Sequence, residues 1–368
     1  MKITLTFGRK VKRVFTRKYF YVKRPKKKGE IMKNYSLKLF TLLFLIINGC
    51  TDPTSPSEDI LEELVFVACE GNFGASNGSI HIIKPDGELD FVEDVGDIVQ
   101  SLEVYGDKLI VLVNNSHKIK IYDIDEDGLK LPGITVSTEN SSPRELVVVN
   151  DKIYFTNWNT KDVKVLNLYN YVIESSIPVD GLPESIIFDG SHLWVGIMMN
   201  EDYSSANEVI KIDIEDNSII NTYDVDLGPT SIVEQDGKIY VARTYYDENF
   251  NAYYGSTKID GDVVNKKNYG SGVACGGSVL KYNSEIYRSY DGGIAPLEEN
   301  LDIRSSAKIG SYSFEQVYST EIIGDNIYFG LTNYADLNQV KVVDTNGSEI
   351  STYDVGIIPG DFAVWRND

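Results

Sequence analysis

From Leu64 onward the chain alternates short runs of β-forming apolar residues with tight polar turns, and no helix of ordinary length fits anywhere after Glu63. One stretch sets the pattern: DGKIYVA, Asp236 to Ala242. It recurs as GDKLIVLV at Gly106, NDKIYFT at Asn150, DGSHLWVG at Asp189, NSEIYRS at Asn283 and GDNIYFG at Gly324. LVFVACE at Leu64 is a further copy without the leading turn. Asn-Asp, Asp-Gly and Gly-Asp supply the positive φ that a hairpin turn requires, and Ile, Tyr, Val and Phe suit a pleated, half-buried strand. With Asp107, Asp151, Gly190, Gly237, Ser284 and Asp325 taken as equivalent, successive copies lie 44, 39, 47, 47 and 41 residues apart. An all-β period in the low forties predicts propeller blades.

Each repeat carries further strands. SIHII at Ser79, KIKIYD at Lys118, DVKVLN at Asp162, EVIKID at Glu208, STKID at Ser256, GIAPLE at Gly293 and QVKVVD at Gln339 follow the opening strand. Polar hairpins such as PDGE at Pro85 and TNGSE at Thr345 come next, then a strand that ends in a bend such as SSPRE at Ser141, GLPES at Gly181, GPTS at Gly228 or IIPGD at Ile357. Four strands per unit and seven units predict a seven-bladed β-propeller of four-stranded blades. The domain begins on the second strand of a blade, LVFVACE, and ends on a first strand, GDFAVW at Gly360. These two are expected to pair, which removes the free edges and closes the ring.

Charge divides the chain. Residues 1–31 hold 12 Lys or Arg and one acid, whereas from Cys50 onward 21 basic residues face 54 acidic ones, a net charge near −33. So acidic a domain excludes nucleic acid and anionic lipid as partners of its folded surface. Three cysteines without a CxxC pair exclude a disulfide framework. Residues 32–49 read as a signal peptide: Lys33 and Lys38 precede the apolar run LFTLLFLII, Leu39 to Ile47, which is too short to span a bilayer. Residues 1–31 do not fit in front of it. KKKGEI at Lys26 is what a purine-rich ribosome-binding site looks like when translated, so translation is expected to start at Met32; a basic arm is the alternative. Residues 50–63, with TDPTSPSEDILEE from Thr51, form a solvated acidic tether, and residues 64–368 form the propeller.

INGC, Ile47 to Cys50, resembles the lipobox of bacterial lipoproteins. That resemblance implies cleavage before Cys50, acylation of Cys50 and attachment to a membrane. Glu58-Asp59, soon after that cysteine, resemble the surface-export signal of Bacteroidetes lipoproteins in a looser form, which implies the cell surface, with the periplasmic leaflet of the outer membrane as the alternative. The repeat, with its G-x-P-E/T-S bends and D-G-K-I-Y-V strands, resembles the YncE-like seven-bladed propellers of the broader WD40/YVTN type. The opening EGNFGASNGSI at Glu70 resembles the DUF5074-type surface lipoproteins. Some of that group capture cobalamin and pass it to a TonB-dependent transporter, so the resemblance implies a corrinoid ligand and such a transporter as partner. A monomeric propeller is expected.

In a propeller the loops after the second and fourth strands of each blade gather on one face. Here the loops after the second strands are uneven and rich in aromatics and amides, the composition of a binding surface for a flat, polar-edged ligand. Phe73, Trp158, Tyr203, Tyr245, Tyr246, Tyr253, Tyr254, Tyr290 and Tyr334 offer ring faces, and Asn72, Asn115, Asn157, Asn159 and Asn333 offer uncharged donors and acceptors. Arg144 and Arg243 read either as charge balancers or as anchors for a ligand carboxylate or phosphate. The bland reading is that Tyr is abundant, at 24 residues, and simply covers loops.

Catalytic signals are poor. His81, His117 and His192 fall in three repeats, so neither a triad nor a metal site is expected, and no cofactor is called for. DIDEDG at Asp123 opens like a calcium loop, but the twelfth position is Ile134, so it reads as a polar hairpin. Cys69 and Cys275 read as small core residues. A propeller enzyme, lactonase-like or quinoprotein-like, would need carboxylates with a metal, or a cofactor clamp, in the central channel, and the spacing shows none. An adhesion or assembly platform is the remaining class.

Overall fold

The structure is a computed structural model that describes residues 63–272, 277–335 and 337–367. The readings for residues 1–31, the signal peptide, Cys50 and the tether up to residue 62, together with Cys275, lie outside the described residues.

The second strand of every blade is buried along nearly its whole length, as in Lys108–Val113, Lys152–Asn157, Lys238–Tyr246 and Asn326–Thr332. These strands read as continuous β-formers because a blade packs a neighbour against each of its faces. The turns that introduce them hold the positive φ expected: 51° and 58° at Asn150 and Asp151, 52° and 75° at Asp236 and Gly237.

Seven sheets result. Blade one joins Pro359–Arg366, the innermost strand, to Glu63–Cys69, Gly78–Ile83 and Leu89–Gly96. The closing strands are antiparallel, with Leu64 opposite Trp365 and Phe66 opposite Ala363. The inner strands of blades two to seven are Val99–Tyr105, Pro143–Val149, Leu182–Phe188, Pro229–Gln235, Val279–Tyr282 and Val317–Ile323. Each inner strand touches the next, and the seventh touches the first, so the sheets form a closed ring. The chain is a seven-bladed β-propeller. Blades one to five and seven carry four main strands; in blade six the outer position is held by isolated bridges from Ile303 and Ile309 to Leu297 and Ile294. Among the described residues the only helical element is one 3-10 turn, Ser305–Ala307.

The core is divided among the seams between blades. Seven apolar clusters lie one to a seam, the one between blades one and two including Leu64, Phe66, Val111, Tyr122 and Trp365. The seam between blades five and six is poorest, with four buried members, Tyr240, Ile286, Leu297 and Leu301.

Inner strands present an unpaired edge to the channel, and buried backbone N–H groups need acceptors. Carboxylates supply several. Leu102 N–H donates to Asp361 Oδ2 at 2.7 Å and Val148 N–H to Glu103 Oε1 at 3.1 Å. Leu146 and Ile322 N–H donate to the side chains of Glu145 and Glu321, each at 3.0 Å.

Candidate functional site at the loop-bearing mouth of the channel

A cavity of about 600 Å³ runs into the channel from the face that carries the loops after the second and fourth strands. Its mouth is lined by Glu70, Gln100, Arg144, Glu184, Tyr246 and Tyr318, among others. Arg144 organises this rim. Its Nε and Nη2 donate to the two oxygens of Glu184 at 2.9 and 2.6 Å, Nη1 donates to Gln100 Oε1 at 2.6 Å, and its guanidinium stands 4.2 Å from the centre of the Trp158 ring. Burial opposes the charge of Arg144, but Glu184, with Glu70 and Tyr318 behind it, more than offsets this and the pKa rises. The two-pronged pairing spans blades three and four and makes Arg144 a charge balancer. Across the mouth, Tyr318 donates to Glu70 at 2.7 Å, and burial raises the pKa of that carboxyl group.

Deeper in, the channel holds carboxylates that no spacing in the sequence brought together. Glu145 and Asp361 approach Ser101, which donates to Glu145 at 2.5 Å. Burial raises both pKa values, and Asp361 raises that of Glu145 further by repulsion. Glu103 and Glu321 are each pushed up to about 7, mainly by burial and then by the charge of Glu145. These acids come from separate repeats, so no local spacing reveals them. The signal is positional: Glu145 and Asp361 occupy the place held by Ser185 and Ser231 two residues after the bend proline. Among the described residues, no three His, Cys, Asp or Glu side chains are arranged to hold a metal ion.

The structure distributes the expected rim residues unevenly. Phe73 and Tyr203 are strongly exposed, at 78% and 71%, and Tyr246 and Tyr334 are exposed to a lesser degree. Asn72 and Asn333 are exposed, whereas Asn115 is half-buried with its amide on Asp97 at 2.6 Å. Asn159 is exposed and donates to the carbonyl of Asn140. Tyr245 and Tyr253 stack on each other at 5.7 Å, Tyr254 tilts against Tyr269 at 5.1 Å, and Tyr290, like these, is half-buried. Trp158 is half-buried beneath Arg144. Two expectations are corrected. Asn157 is fully buried and donates to the carbonyl of Phe155, because it ends a strand covered on both faces. Arg243 is fully buried too, paired with Asp226 at 3.2 Å and bonded to Asn268 at 2.6 Å.

Sequence reasoning missed Phe250 and Phe314, exposed by 85% and 46%, and Arg288, which is fully buried. The signal for Phe250 was its place at the tip of the turn 247–251 between two long strands, Lys238–Tyr246 and Ala252–Asp260. Of the eight exposed aromatic residues among those described, six lie on the loop-bearing face: Phe73, Tyr203, Tyr246, Phe250, Phe314 and Tyr334. The other two, Phe91 and Tyr169, lie on an outer strand and an opposite-face turn. The histidines serve locally: burial lowers the pKa of His81 to about 4, and His117 Nδ1 accepts the Ser142 N–H.

No protein-family model and no curated protein matches the chain. Solved structures do. A hypothetical selenium-binding protein from Sulfolobus tokodaii aligns with a TM-score of 0.62 at 10% identity, over 84% of this chain and 94% of its own. A protein from Lactobacillus plantarum aligns with a TM-score of 0.59 at 12% identity, over 83% and 100%. Apo AztD from Citrobacter koseri aligns with a TM-score of 0.54 at 12% identity, over 83% and 99%. At such identities these likenesses carry the propeller fold and nothing finer.

Proposed function

We propose that this chain is a lipoprotein held to the bacterial outer membrane through Cys50, on the cell-surface side, and that its propeller captures a flat, polar-edged ligand on the loop-bearing face. The concentration of six exposed aromatic rings on that face carries the reading. Exposed aromatic surface is costly in water unless it is covered in use, and a cluster of it marks an interaction site. The channel mouth beside it adds a cavity of about 600 Å³, of the size that holds a small organic ligand. The lipobox-like INGC and the tether after it support the anchor. The resemblance to DUF5074-type lipoproteins makes a corrinoid the ligand of choice and a TonB-dependent transporter the recipient.

Thermal unfolding with cobalamin, related corrinoids and haem tests capture. A ligand at 100 times its dissociation constant stabilises the fold by about 2.7 kcal/mol. The triple variant Phe73→Ser, Tyr203→Ser, Phe250→Ser should melt as the wild type does and lose the ligand-induced rise. No rise with any of these compounds removes the corrinoid assignment, and an undiminished rise in the variant removes the aromatic rim. Labelling with radioactive palmitate should mark the wild type and not Cys50→Ser.

A further inference from the structure

Where blades five and six meet, the apolar cluster is the smallest of the seven, and the guanidinium of Arg288 is buried there, with that of Arg243 on the opposite face of the blade-five sheet, toward blade four. Arg243 is fully buried and Arg288 is 1% exposed. They flank Ser256: Arg288 Nη1 donates to its hydroxyl at 3.1 Å, and Arg288 Nη2 donates to the Arg243 carbonyl at 3.3 Å. Arg243 has Asp226, whereas Arg288 pairs with no carboxylate among the described residues. Nε of Arg288 and Oγ1 of Thr244, whose side chain faces blade six, are buried without a hydrogen-bond partner, as is Nε of Arg243 on the other face of the blade-five sheet.

Such an arrangement is expensive. A buried cation without a counter-charge costs several kcal/mol, and a like charge beside it adds to that. Burial and then Arg243 both disfavour the charged form of Arg288, whose pKa falls to about 10, still cationic at neutral pH. Two π faces compensate in part: the guanidinium carbon lies 5.3 Å from the Tyr254 ring centre and 5.6 Å from that of Tyr269. In a domain so rich in acids, a charge balancer would be expected to have a carboxylate beside it, as Arg144 has Glu184.

Arg288 is two residues from Tyr290, which ends its strand at the loop-bearing face, a depth of about 7 Å. Tyr254 and Tyr269, the rings over it, are both half-buried. Swinging Tyr254 aside forfeits its contacts with the Tyr269 ring and the Arg288 guanidinium, which an incoming anion would replace.

We propose that Arg288, with Thr244 on the same face, is a docking point for an oxyanion, a carboxylate or phosphate group borne by a ligand that enters from the loop-bearing face beside Tyr254. A planar guanidinium with an unused Nε–H suits such a group, and the anion would supply the missing counter-charge. The proposal deepens the capture reading and rests on it for the direction of entry.

The test is thermal unfolding of the full chain in inorganic phosphate, acetate or chloride at matched ionic strength, for the wild type, Arg288→Met and Arg288→Lys. The wild-type midpoint should rise in phosphate or acetate above chloride and saturate; the anion with the larger rise identifies the group recognised. Arg288→Met should lose the anion-specific rise. Arg288→Lys keeps the charge but not the fork, and should need at least about tenfold more anion for half the effect. It also serves if the Met variant does not fold. General salting-out by phosphate acts on all three proteins alike and cancels in the comparison. No rise above chloride in the wild type, or an equal rise in the variants, overturns the proposal. If a corrinoid stabilises the wild type and Arg288→Met equally, capture stands and the oxyanion dock fails. If phosphate or acetate acts through Arg288 while no organic ligand has an effect, the dock stands and corrinoid capture fails.

Discussion

Replacing Glu321 by Gln should make the propeller more stable at alkaline pH and leave it little changed in mild acid. Glu321 lies on the inner strand of blade seven, and its Oε1 accepts the N–H of Ile322 at 3.0 Å. Burial, assisted by repulsion from Glu145, lifts its pKa from 4.5 to about 7. At about 1.4 kcal/mol per pH unit, that shift corresponds to roughly 3 kcal/mol for a group wholly removed from water. Glu321 keeps some surface in the channel, so about 1–2 kcal/mol is the expected size. The sign follows from proton affinity. The folded chain holds this proton more tightly than the unfolded chain, so between pH 4.5 and 7 it carries more protons, and stability falls as pH rises through that window. Gln keeps the acceptor for Ile322 and carries no charge. Urea unfolding followed by tryptophan fluorescence should therefore show a variant about 1–2 kcal/mol more stable than the wild type at pH 8, with most of the difference gone at pH 5. Glu103, Glu145 and Asp361 titrate in the same direction and remain, so the variant's decline with pH should become shallower rather than vanish. A difference equal at both pH values, or a variant less stable at pH 8, would refute the view that the channel holds these acids against their charge.

Two further outcomes are expected. Trp365 closes the ring, is 4% exposed and donates its indole N–H to Asp107 at 3.0 Å; Trp365→Ala should cost about 3–5 kcal/mol in the same urea assay, and a loss below about 1 kcal/mol would mean that the closing seam contributes little. Burial pushes the Cys69 thiol up to about 12, so peptide mapping after iodoacetamide at pH 8 should find Cys69 unmodified in the native protein and modified after denaturation.

The fold was legible because its determinants are local and repeated. A turn such as Asp236-Gly237, followed by a strand apolar on both faces, dictates its own geometry wherever it occurs, and seven copies leave one architecture. The pairing of Leu64 with Trp365 followed from counting strands, since a chain that starts on a second strand and ends on a first can close only one way. The outer part of the rim was legible for a related reason: Phe73 and Tyr203 sit at loop tips, where nothing in the fold can cover them.

What the sequence by itself determined, then, was the blade, the number of blades, the seam that shuts the ring and the face that bears the long loops. Only the tertiary structure decided which of the loop-side residues remain available. Asn157 and Arg243 looked like rim groups and are interior, because the second strand of a blade is covered from both sides up to its last residues. It also decided the company each charge keeps. Arg144 meets Glu184 from the next blade, Glu145 meets Asp361 across the channel, and Arg288 meets Arg243 and two tyrosine rings. These partners come from different blades and are separated by at least 19 residues, so hydrophobic periodicity, which records how each strand faces its neighbours, carries no information about them. Charge interacts through space, and that space exists only once the ring has closed.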